Sequence, residues 1–328
     1  MRRSASLLLL VLPTISLAAP LPKDTRPVIS TNNADKLKVL HSLPYDSWKI
    51  VWGPSPGEVT LLGWNMPATV LDDQTFREGR KLMIGKEPIH MAVASDRETI
   101  AYCENSPKLI VENVRTGKSL TIDTGGAQPS MAFSPDGKLL AAGGGAGGAK
   151  IWEAATGKVV HTLEGSGDGG LTTVFSPDGK ILAVGNRNRT TRLYDVATGK
   201  LIHELPKQMT QEIKFSPDGK ILATGYVDGT IGLWDVATGK LLRSAESLCK
   251  EVYTVDWTPR GDVLVTAGRE GKIVLWDPKE LKILKELDSP EWVIHVRFSR
   301  DGSRLWTTGG ESSTREGRAV TIWGLPDR

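Results

Sequence analysis

The chain has 328 residues, of which 41 are basic and 38 acidic, giving a net charge of +3. So even a balance supplies no basic field for nucleic acid or for an anionic membrane surface. Two cysteines in a chain of this size exclude a small disulfide-stapled scaffold, and the length allows an ample apolar core.

In chain order, Arg2-Arg3 precede an apolar stretch from Leu7 to Leu17, and Ser16-Leu17-Ala18 places small residues at the −3 and −1 positions. Residues 1–18 therefore read as a secretory signal peptide cleaved after Ala18. The apolar stretch is too short to cross a bilayer. No cysteine stands near the cleavage point for a lipid anchor, and the twin-arginine context is missing, which leaves the general secretion route. The expectation is an exported protein (periplasmic, envelope-associated or extracellular) that does not insert in a membrane. Residues 19–35 read as a flexible leader.

Leu37-Lys38-Val39-Leu40-His41-Ser42-Leu43 then matches Leu201-Ile202-His203-Glu204-Leu205, the fourth strand of a unit that recurs downstream. Here it appears before any first strand. Two weak units follow, with Val70-Leu71-Asp72 and Ile110-Val111-Glu112-Asn113 as their third strands. The next units are regular. Phe133-Ser134-Pro135-Asp136-Gly137-Lys138 returns at 175–180 and 215–220, with degenerate copies starting at Trp257 and Phe298, so that successive starts lie 42, 40, 42 and 41 residues apart. Each unit has an apolar strand before the Asp-Gly turn and a small-residue strand after it, such as Ile221-Leu222-Ala223-Thr224. A third strand ends in Trp152-Glu153, Tyr194-Asp195, Trp234-Asp235 or Trp276-Asp277, and an Ala-Thr-Gly-Lys turn leads to a fourth strand. Asp-Gly and Thr-Gly supply the positive φ of tight hairpins. Four short strands per period of about 40 residues read as one antiparallel sheet per unit.

The Trp-Asp dipeptides at this spacing resemble the WD40 repeat family, across residues 36–324. The resemblance implies an all-β, seven-bladed β-propeller of four-stranded antiparallel blades. Third-strand positions at 152, 194, 234, 276 and 323, with the weaker 112 and 71, count seven units. Residues 36–328 thus form one domain, in which residues 36–43 supply the outer strand of the last blade and close the ring. Many WD40 repeats join a loop histidine, a Ser/Thr, an Asp and the Trp by hydrogen bonds. In this chain blade 5 retains only part of that set, Asp228, Thr230 and Trp234.

The resemblance also implies that the loops leading into the first strands, together with the second-to-third-strand loops, form a partner-binding face. Trp48 and Trp292 stand on leading loops of blades 1 and 7, with Tyr45 beside the former. Arg187, Arg189, Tyr226, Arg269 and the loop 311–318 belong to the same face. Aromatic and Arg side chains there suit a hot spot, unless Trp48 and Trp292 turn inward to seal the ring. A monomer that binds a protein or peptide is the expectation.

Catalysis finds little support. His41, His161 and His203 share one outer-strand slot on three blades, and His90 and His295 share a first-strand slot on blades 2 and 7, so no metal-ligand set is expected. Cys103 and Cys249 lie on blades too far apart for a disulfide. Gly143–Gly148 lacks the Lys-Ser/Thr of a phosphate loop. No cofactor is expected. Lys214, Asp256 and Arg297 occupy one slot on blades 5, 6 and 7 and form either a self-satisfying ladder or part of a channel site. A propeller enzyme or small-ligand binder with its site in the central channel is the alternative to a non-catalytic interaction platform.

Overall fold

The computed structural model describes residues 27–52, 57–63, 68–82, 90–96, 98–103, 107–126, 130–143, 148–164, 170–186, 190–206, 209–310 and 319–326. Its strands form seven four-stranded antiparallel sheets. Six sheets use four consecutive strands. In the seventh, Val293–Phe298, Arg304–Gly309 and Val320–Gly324 are joined by Lys38–Leu43, with Ser42 opposite Thr321 and Leu43 opposite Val320. The inner strands of successive sheets touch all the way round, so the ring is a closed seven-bladed propeller.

Burial follows strand position. Second strands such as Ile221–Tyr226 are sandwiched between neighbouring blades and buried almost end to end. Outer strands such as Leu241–Glu246 are mostly exposed. Runs of Leu, Ala, Val and Gly in the second strands suit that two-sided burial, because adjacent sheets approach over their faces.

The recurring hexapeptide is a turn that also locks one blade to the next. Ser134 Oγ donates to Asp136 Oδ1 at 2.6 Å and accepts from Leu139 N at 2.9 Å, and Gly137 takes φ 73°. The same serine–aspartate bond recurs at Ser176–Asp178 and Ser216–Asp218. In the degenerate copy the carboxylate has moved from position 260, now Arg, to Asp262, yet Thr258 Oγ1 still donates to it at 2.7 Å. Pro135 lies where a side chain on Gly179 would touch it at 3.4 Å, and Pro177 stands in the same relation to Gly219. The proline of each turn therefore rests on the glycine of the next.

The rim histidines form a second lock. His161 Nε2 lies 3.1 Å from the Ala197 carbonyl oxygen and His203 Nε2 lies 3.0 Å from that of Ala237, each on the Thr-Gly turn of the following blade. At the closure, His41 meets Phe76 at 4.6 Å between ring centroids. Phe76 holds the place that Gly157 and Gly199 hold elsewhere, with φ 58°. That conformation costs an L-residue about 1–2 kcal/mol. The compensation is aromatic packing: Phe76 is 5.6 Å from Trp306, which is 6.1 Å from Trp52, and the Arg304 guanidinium sits 4.7 Å over the Phe76 ring. Arg304 also donates to the Asp73 carbonyl. Trp52, Phe76 and Trp306 seal the ring, rather than Trp48 and Trp292.

Part of the stretch read as a flexible leader is fixed in place. Ile29 is fully buried, its N–H donates to Gly302 O at 2.9 Å, and a short 3-10 turn, Ala34–Lys36, carries the chain into the closing strand. Ile29, Ala34 and Leu37 join Leu287, Phe298 and Trp323 in one core spanning blades 6 and 7. Three well-spaced apolar residues suffice for docking, although the polar composition of the segment conceals them.

Candidate partner-binding face and central channel

Of the seven residues expected on the partner-binding face, Arg269 and Trp292 are brought together. The Arg269 guanidinium lies 4.9 Å over the Trp292 ring, and Tyr253 approaches the same ring at 6.4 Å. Arg269 Nη1 also donates to Glu251 Oε1 at 2.9 Å, which fixes the cation in place. Its side chain remains 44% exposed, so it is ordered yet accessible. Trp292 is half-buried on the loop into blade 7.

The other expected residues go elsewhere. Tyr226 is 1% exposed and does not reach the face. Its hydroxyl accepts from Thr224 Oγ1 at 2.6 Å and from Trp234 Nε1 at 3.0 Å. Asp228 instead takes Thr230 N–H and O–H, so the residual family set in blade 5 is a turn cap separate from the tryptophan. Second-strand threonines hold the tryptophans of blades 6 and 7, where Trp276 donates to Thr266 at 2.9 Å and Trp323 to Thr307 at 3.1 Å. Tyr45 is half-buried against the closure core beside Leu43, Trp52 and Phe76. Trp48 lies within Ser47–Trp52, edge-on to His90 at 5.7 Å. Arg187, Arg189 and the loop 311–318 lie outside the described residues.

Trp48 is displaced by a bulge. In blades 1, 4, 5, 6 and 7 the inner strand carries one extra residue, between Ser47 and Lys49, Gly170 and Thr172, Thr210 and Glu212, Val252 and Thr254, and Val293 and His295. A bulge re-aims its side chain, and Trp48, Tyr253 and Ile294 all line the central channel.

The channel encloses about 500 Å³. Strand register sets two rings of side chains around it. One comprises Lys49, His90, Ser130, Thr172, Glu212, Thr254 and His295, polar in every blade. The other comprises Val51, Ala92, Ala132, Val174, Lys214, Asp256 and Arg297, so its charges lie on consecutive blades. Lys214 Nζ is 3.9 Å from Asp256 Oδ1, and Asp256 Oδ2 accepts from Phe298 N at 2.8 Å. Arg297 Nη2 reaches Glu212 Oε1 at 3.7 Å. The expected neighbouring opposite charges are present, and Glu212 and Lys49 extend them.

Burial holds Lys49 down to about 8, with Arg297 and Lys214 opposing its charge and Glu212 favouring it. Lys214 is lowered by burial and by Arg297. Burial and Lys49 bring His90 down to about 3, and burial with the surrounding cations holds His295 well below the usual range, so both imidazoles are neutral at pH 7. Cys103 and Cys249 are buried thiols outside any disulfide, and burial raises each to about 11. No group of three or more His, Cys, Asp or Glu suited to a metal ion occurs among the described residues.

The family described as "WD domain, G-beta repeat" matches residues 122–153, the end of blade 2 and most of blade 3. The family described as "Eukaryotic translation initiation factor eIF2A" matches residues 173–270, from blade 4 into blade 6. No curated protein matches the chain. The repeat match falls on blades 2 and 3 of the seven four-stranded blades, and together the repeat match and the closed ring support a WD40-type β-propeller.

Proposed function

We propose that the chain is a non-catalytic interaction module that is exported and binds a protein or peptide through its leading-loop face. A WD40 propeller is a fold that typically mediates protein interactions, and function on such a scaffold resides in loops. The observation that carries the reading is the Arg269–Trp292–Tyr253 cluster. An accessible guanidinium is already held on an indole by Glu251, so little side-chain freedom is lost when a partner covers it.

The test is cross-linking and affinity capture from the exported fraction of the source cell, comparing wild type with Arg269→Ala/Trp292→Ala. A partner retained by wild type, lost by the folded variant and reconstituted from purified components supports the reading. The same partner bound equally by both proteins refutes a role for this face.

A further inference from the structure

The geometry points to a second site beside the face: the central channel binds a small monocarboxylate with an apolar body, its carboxylate seated on Lys49. Lys49, Lys214, Arg297 and Arg300 line the channel together with Glu212, and Asp256 stands beside Lys214. Asp256 is engaged by Lys214 and by the Phe298 N–H, and Glu212 by Arg297. Lys49 is left with no carboxylate oxygen within 4.0 Å among the described residues, and its recorded neighbour is the Trp48 ring at 5.9 Å. A buried cation with no carboxylate in direct contact is costly, and a bound anion relieves that cost.

A neighbouring side chain fits the same occupant. His295 is 6% exposed, and its Nδ1 accepts from Ile50 N at 3.2 Å, so its proton resides on Nε2. That Nε2 has no partner. It stands next to Lys49 in the polar ring as a buried N–H without a partner, which a carboxylate seated on Lys49 would satisfy once the ring turns toward the channel.

A monoanion fits better than a dianion such as phosphate, which would set a further negative charge against Glu212 in the channel lining. The wall formed by blades 3 and 4 supplies Ala132 and Val174, an apolar surface for the body of the ligand. The cavity volume lies within the range of small-molecule sites.

Benzoate is the probe, titrated into the full chain at pH 7 with calorimetry and tryptophan fluorescence. Benzamide and inorganic phosphate are the comparisons. Saturable benzoate binding is expected, with benzamide and phosphate each weaker by about tenfold or more. Lys49→Met should weaken benzoate by about tenfold or more, and Val174→Phe, which fills the apolar side and keeps the cation, should weaken it comparably. Should Lys49→Met fail to fold, NMR of the ¹³C-methylated lysines gives a direct readout, with benzoate raising the titration midpoint of Lys49. Absence of saturable binding below about 10 mM overturns the proposal. So does benzamide or phosphate binding as tightly as benzoate, affinity unchanged by Lys49→Met and Val174→Phe, or a Lys49 midpoint unmoved by benzoate.

Discussion

Lys49 shows how a single position carries more than its local sequence suggests. Its neighbours along the chain are unremarkable in pattern, but register places it between His90 and His295 and opposite Glu212. Because folding lowers its proton affinity, the unfolded chain binds more protons between about pH 8 and pH 10.5, and wild-type stability rises with pH across that window. Below pH 8 the full cost of the buried charge is present. Lys49→Met should therefore be more stable than wild type at pH 7 by on the order of 1–2 kcal/mol. That advantage should shrink as pH approaches 10.5, as followed by urea denaturation at each pH. Part of this site was legible: the shared slot of His90 and His295 follows from aligning the units. Extending that alignment to the same column in blade 1 would have found Lys49 between them. The bulge at Trp48 hid it, since the extra residue breaks strict alternation. Tyr226 failed for a different reason, because a Tyr at a strand end reads equally well as a surface aromatic or as the partner of a buried indole. Blade 2 makes the same kind of pair with the roles exchanged, Tyr102 donating to Glu112 at 3.2 Å across the second and third strands. The weak repeat there thus retains the cross-strand bond that Thr266 and Trp276 make in blade 6.

Elements are positioned by their turns as much as by their strands. Both hairpin types were readable because positive φ restricts the residue type, and Asp-Gly and Thr-Gly recur at fixed offsets. The sequence does not reveal that those glycines are also contact points between blades. Gly199 has φ 70°, and a Cβ there would lie 2.7 Å from the His161 ring. Gly199→Ala should cost about 2–3 kcal/mol, combining backbone strain with the clash. Adding His161→Ala should relieve the steric part and leave about 1–2 kcal/mol of backbone strain. The four proteins of this double-mutant cycle are compared by denaturant midpoint, and strictly additive costs would show that the histidine does not bear on the turn. Phe76 marks the limit of the rule. Its φ is that of the missing glycine, and only its place between His41, Arg304 and Trp306 accounts for it.

At the scale of the molecule, the blade count and the closure were both legible, because a fourth-strand pattern stood ahead of the first complete unit. The docking of residues 27–37 was not, since three apolar side chains in a polar segment carry no periodicity. Ile29 is fully enclosed between blades 6 and 7, so Ile29→Ala should cost about 2–4 kcal/mol. Hydrogen exchange should then accelerate first in Lys38–Leu43, the strand that the segment anchors. Uniform acceleration across all blades would show that the segment contributes only to global stability.

Closure of this kind also sets an order of events. The strand Lys38–Leu43 is made early and its partner Val320–Gly324 late, with roughly 280 residues between them. Joining ends so distant in a flexible chain costs about 5 kcal/mol of loop entropy, whereas the hairpins of blades 1 to 6 close locally. Pairing over such a separation is slow. A nascent chain therefore carries its first strand without its native mate through most of synthesis, and the ring exists only once the last blade has been delivered.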